Sequence, residues 1–161
     1  PKAKQKDIDF IVELLDWDFN TCTHFKDACY MEPIAAEDSS SEGWVDRWVV
    51  YGRIHGKQLF SARELTVEPG AKVTIKDSRA SGVIAVQGKG TIGRHEIETP
   101  VMIRFGQMTQ DEVFISHEAA VQGVTVENTG TEPFVTLRYF GPDVWDGKKY
   151  PNVGDHRKAG K

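Results

Sequence analysis

Residues 60–93 read FSARELTVEPGAKVTIKDSRASGVIAVQGKGTIG, and residues 99–141 read TPVMIRFGQMTQDEVFISHEAAVQGVTVENTGTEPFVTLRYFG. Short runs rich in Val, Ile, Thr and Phe alternate here with turn signals. The signals are Glu68-Pro69-Gly70, Gly88-Lys89-Gly90, Gly106-Gln107 and the segment Asn128 to Pro133. Branched and aromatic residues fit a pleated, half-buried surface, and closely spaced turns favour antiparallel neighbours over helical crossovers. The stretch therefore predicts an all-β antiparallel barrel or sandwich, and the residues outside it read as additions to that barrel.

The spacing of the turns resembles the cupin superfamily. Its first motif, G-x5-H-x-H-x3-4-E-x6-G, can be laid down starting at Gly70. Lys76 then falls at the first His and Ser78 at the second. The His of the second motif would fall at Gly123 or Val124, ahead of Asn128-Thr129-Gly130. The runs RELTVEPG, IAVQGKGTI and VFIS..AA..GVTVEN look like the carboxy-terminal cupin of type I mannose-6-phosphate isomerase, a module that itself lacks the metal ligands. The resemblance implies a jelly-roll barrel with no metal and no cofactor. It also implies that Lys76 and Ser78 point into the barrel or toward its mouth.

Working outward, Trp44 to Gly52 (WVDRWVVYG) reads as a strand, with Trp44, Asp46, Trp48 and Val50 on one side and Val45, Arg47, Val49 and Tyr51 on the other. Both sides are largely apolar, so both faces are expected to be covered. Gln58 to Val67 is the next strand, after a turn at His55-Gly56-Lys57. Glu37 to Gly43 (EDSSSEG) predicts a flexible polar loop. Ahead of it, Phe10, Ile11, Leu14 and Leu15 recur at helical spacing, which predicts a short amphipathic arm. The expected organisation is an amino-terminal arm and loop over 1–43, a barrel over 44–141 and a carboxy-terminal tail over 142–161.

The 161 residues suffice for one domain with its own core. Net charge is −4, but Lys2, Lys4 and Lys6 open the chain and Lys148, Lys149, Arg157, Lys158 and Lys161 close it, so the body between is more acidic still. Such a body repels nucleic acid and anionic membranes, and neither is an expected partner. No apolar run approaches the ~20 residues that span a bilayer. The opening PKAKQKDIDF has no apolar leader core, so a cytoplasmic setting with Cys22 and Cys29 as reduced thiols is expected. Pro1 fits either removal of an initiator Met or a piece of a longer polypeptide.

No H-x-H pair occurs among the five histidines, and Cys22-x-His24-x4-Cys29 matches no common zinc spacing. Glu96 and Glu98, and Asp111 and Glu112, are paired carboxylates of the kind that solvated strand ends carry. The candidate ligand-binding residues are Lys76, Ser78, Arg104, Arg138 and His117. His117 follows a strand near a barrel mouth, while Arg104 and Arg138 stand in apolar runs and are expected on the barrel exterior by alternation. Two function classes follow. One is a non-catalytic cupin module with a packing, dimerisation or carbohydrate-binding role, as a homodimer or within a larger polypeptide. The other is a stand-alone sugar or sugar-phosphate isomerase or epimerase with atypical residues. A sugar or sugar phosphate is the candidate ligand in both.

Overall fold

A computed structural model describes residues 4–25, 30–53, 56–102, 105–106, 109–142 and 144, with the backbone alone for 37–41. Two compact units are present, one up to Tyr30 and one from Met31 onward.

In the first unit the expected single helix is two short ones. Helix α1 is Ile8–Glu13, capped by Asp7, whose side chain accepts from the Phe10 N–H at 3.0 Å. Helix α2 is Trp17–Asn20, capped in the same way by Asp16. An Asp that satisfies the free N–H groups of a new first turn ends the previous helix, which is why the pattern breaks at Asp16. Neither helix buries a residue.

The second unit is all-β and of the jelly-roll kind. Its strands are β1 (Ile34–Ser41), β2 (Trp44–Val50), β3 (Ser61–Val67), β4 (Lys72–Ile75), β5 (Ser81–Ile92), β6 (His95–Thr99), β7 (Glu112–Ile115), β8 (Val124–Asn128) and β9 (Phe134–Phe140). Helix α3 (His117–Gln122) lies between β7 and β8. Every strand pair is antiparallel, in the order β1-β2-β3-β9-β5-β8-β4, with β6 and β7 also on β5.

Strand β5 bends the sheet. Its first part pairs with β7 and β9, and its second part with β6 and β8. Gly88 marks the change, with φ 75° and a backbone so close that a Cβ would lie 2.7 Å from the Pro133 carbonyl oxygen. Only glycine takes that conformation in that space. The sequence reads Gly88-Lys89-Gly90 as a turn between two strands; it lies instead inside one continuous strand. The polar segment EDSSSEG is likewise no loop. Its residues up to Ser41 belong to β1, and Ser41 pairs with Trp44 across a tight connection. Ladder hydrogen bonds to β2 supply the order that its composition lacks.

The larger core lies between the two halves of the curled sheet. Leu65, Val67, Ile75, Val83, Ile92, Ile115, Val126 and Phe134 are among its buried members. A smaller core gathers Ala36, Trp48, Tyr51 and Phe140. Asn128 ties β8 to its neighbours, its side-chain amide donating to the Val67 and Glu132 carbonyls at 2.8 Å each.

Candidate functional site in the barrel interior

Alternation along β9 sends Phe134, Thr136, Arg138 and Phe140 inward, and all four are buried. Phe134 belongs to the larger core and Phe140 to the smaller, so Arg138 sits in a polar layer between the two. Register places Arg63 of β3 beside Arg138, and Trp48 of β2 beside Arg63. Asp46, two residues before Trp48, faces the same way and is 5% exposed. Asp77 enters from the end of β4, fixed by its N–H donating to the Ala120 carbonyl at 3.1 Å.

These four charges close into a ring. Arg138 Nη1 lies 2.9 Å from Asp77 Oδ2, and Arg138 Nη2 pairs with Asp46 Oδ2. Arg63 Nη1 reaches Asp46 Oδ2 at 3.4 Å and Asp77 Oδ1 at 3.5 Å. The guanidinium of Arg63 stacks over the Trp48 ring, 4.1 Å from its centroid. Each carboxylate faces both guanidiniums, and the ring sums to zero charge. A buried charge requires such pairing, because desolvation of one alone costs several kcal/mol. Burial still pushes the Asp77 carboxyl above its usual pKa; Arg138 and then Arg63 pull it down, and Asp46 adds to the rise.

Beside the ring is a cavity of about 240 Å³, lined by Trp44 and Asp46 of β2, Arg63, Arg138, and Thr74, Ile75 and Lys76 at the end of β4. It is lined from both β2 and β4, which do not pair with each other among the described residues; β4 pairs with β8. A second, polar hollow of about 370 Å³ contains Glu96 and Glu98, both exposed on β6.

The expected site residues divide. Arg138 is 1% exposed, so its expected place on the barrel exterior is wrong: β9 turns that edge of its pleat inward. Lys76 and Ser78 are both exposed, and Asp77 between them takes the inward position. Val73 and Ile75 set the phase of β4 by entering the core, and a shift of one residue exchanges the faces of a strand. Lys76 nevertheless reaches the cavity wall, while the Ser78 hydroxyl donates to the Val144 carbonyl at 3.4 Å. His117 is exposed in the first turn of α3, outside that wall. Arg104 and Cys29 lie outside the described residues. Sequence reasoning missed Asp46, Arg63 and Asp77. The available signal was Asp46 on the same side of its strand as Trp44 and Trp48, a carboxylate that burial obliges to find a cation. Among the described residues, no group of three or more His, Cys, Asp or Glu converges as a metal site.

No family model and no curated protein matches the chain. Solved structures do. A cupin-2 domain from Rhodospirillum rubrum is 18% identical, with 79% of each chain covered and a TM-score of 0.46. An RmlC-like cupin protein from Ralstonia eutropha is 11% identical, covering 69% of this chain and 63% of that one, with a TM-score of 0.45. Oxalate decarboxylase of Bacillus subtilis is 24% identical, covering 71% of this chain and 29% of that one, with a TM-score of 0.48. The chain thus spans less than two thirds of the latter two. Among the described residues, no helix is long and apolar enough to cross a membrane.

Proposed function

We propose that the chain is a non-catalytic cupin module, related in its barrel to the sugar-phosphate isomerases, with a ligand-binding and self-association role. The observation that carries this reading is the closed Asp46–Arg63–Asp77–Arg138 ring. The first-motif frame places metal-binding side chains in that interior, and here the inward residue is Asp77, committed to two arginines. General acid–base catalysis needs a group free to exchange a proton with substrate. Proton transfer from a substrate to either aspartate would leave a guanidinium in the interior short of its counter-charge. The arrangement holds shape and presents polar atoms to a cavity; it does not cycle a proton.

Self-association is supported by the arm. Ile8, Ile11, Val12, Leu14, Leu15 and Trp17 are all exposed, a large apolar surface for two short helices. The catalytic reading is tested by incubating the protein with hexose and pentose phosphates, with and without added divalent metal, and following the sugars by NMR. No interconversion is expected. Turnover that disappears in an Asp77→Asn variant would replace this proposal with the isomerase or epimerase reading.

A further inference from the structure

The outer face of the barrel wall, behind Arg138, carries two aromatic side chains in one row. Alternation sends Arg138, Phe140, Val83 and Ile115 inward, so Tyr139, Gly82 and Phe114 face outward across β9, β5 and β7. Phe114 is 72% exposed and Tyr139 38%. The Tyr139 side chain reaches across Gly82: a Cβ there would lie 2.0 Å from Cζ, 2.2 Å from Oη and 2.5 Å from Cε2. A point beside the aromatic ring, in its plane, would meet Oη or Cε2 before Cζ. Cζ comes first only from above, so the ring lies flat on the sheet with one face on Gly82 and the other outward.

The next row on this face is Leu137, Ile84 and Glu112. Leu137 and Ile84 are half-buried, and Glu112 is exposed. Among the described residues Glu112 has no ion pair, whereas Arg47 and Glu64 on the same face pair with each other. A purely apolar partner covering these rows would desolvate Glu112 without a counter-charge. The occupant that fits is therefore apolar and positively charged. The flat, outward ring selects further. A guanidinium is planar, stacks on aromatic faces and donates from its edge to a carboxylate, whereas a lysine ammonium is a compact, strongly hydrated point charge. Inside the barrel the chain already uses this arrangement, with Arg63 stacked over Trp48 and its Nη1 reaching Asp46 and Asp77. The outer face has the aromatic plane and the carboxylate, and among the described residues no arginine meets them.

We propose that the outer face of β9, β5 and β7 docks an arginine of a partner polypeptide. Its guanidinium stacks on Tyr139 beside Phe114 and donates to the Glu112 carboxylate, while an apolar residue next to the arginine covers Ile84 and Leu137. This surface lies on the far side of the wall from the charged ring and goes beyond the function proposed above; neither rests on the other.

NMR titration of the full chain with three short peptides tests it. They are acetyl-Leu-Arg-Leu amide and the same peptide with lysine or citrulline in the middle; citrulline keeps the planar shape and removes the charge. The arginine peptide should shift the Gly82 and Phe114 amide signals, and the lysine peptide should bind more weakly. The citrulline peptide should bind about threefold to thirtyfold more weakly, the loss of one cation–π contact and one exposed ion pair. Phe114→Leu and Glu112→Gln replace exposed side chains, so Tm should hold, and each should weaken the arginine peptide about twofold to fivefold. The proposal is overturned if the arginine peptide leaves those signals unmoved, if the citrulline peptide binds as well as it does, or if either variant binds it like wild type. It is also overturned if those signals move on dilution of the protein alone and cease to do so in Glu112→Gln, because the face is then an interface between two copies. Sugar-phosphate turnover would sink the non-catalytic reading while leaving these binding constants intact, so the two fail separately.

Discussion

Replacing Arg138 with Met is the sharpest probe of the interior. Met keeps much of the side-chain length and removes the charge. Arg138 is 1% exposed and makes two of the ring's ion pairs, to Asp77 at 2.9 Å and to Asp46. After the change, Asp46 and Asp77 share only Arg63. That residue sits at 3.4 and 3.5 Å, close to the limit of a hydrogen bond, and its side chain is 19% exposed. Two charge-assisted hydrogen bonds are lost at about 1.5–3 kcal/mol each, in line with the ~3–5 kcal/mol for breaking a buried pair from one side. For a chain of this size that lowers Tm by about 6–20 °C. Urea denaturation and calorimetry would measure it. A second variant isolates the cause: Arg138→Met with Asp77→Leu removes one charge of each sign and leaves Asp46–Arg63 balanced. It should be more stable than Arg138→Met alone, because no carboxylate is then left short of a cation. A loss under about 1 kcal/mol in the single variant, or a double variant less stable than the single, would refute the ring as the organiser of the interior.

Asp77 also sets a pH dependence. Its folded pKa is raised above the ordinary 3.8, so the folded state holds that proton more tightly than the unfolded chain does. Its contribution is then fully present below 3.8 and is lost as pH rises through the raised value. Unfolding free energy of wild type relative to Asp77→Asn should decline with pH over that window; a rising difference would mean that Arg138 and Arg63 outweigh burial. In the arm, Leu14→Ser with Leu15→Ser should shift the protein toward monomer in light scattering at tens of micromolar without lowering Tm, since neither side chain is buried. A variant that associates as wild type does would remove the arm from the interface. At Gly82 an added Cβ would lie 2.0 Å from the Tyr139 ring, so Gly82→Val must displace Tyr139 from across β5. A loss of about 1–3 kcal/mol by urea denaturation is expected from such overpacking.

The sequence by itself determined the strands and much of their faces. Period-two alternation carries that information locally, and it was enough to put Asp46 with Trp44 and Trp48, and to mark 60–141 as antiparallel β. Local pattern does not carry pairing. EDSSSEG has the composition of a loop, yet its first five residues finish β1 because β2 supplies their hydrogen bonds. Gly88-Lys89-Gly90 has the composition of a turn, yet β5 runs through it because β6, β8 and β9 hold both sides of the bend. The phase of Lys76, Asp77 and Ser78 was set by Val73 and Ile75 entering the core, which reversed the expected inward residues. The ring was beyond any local signal. Asp46 and Arg138 meet across 92 positions of chain, and only the sheet order β2-β3-β9, with β4 folded opposite, brings their charges together. Burial then decides the chemistry: in water these four side chains would be separate ions, and between two apolar cores they can persist only as a pairwise-compensated set.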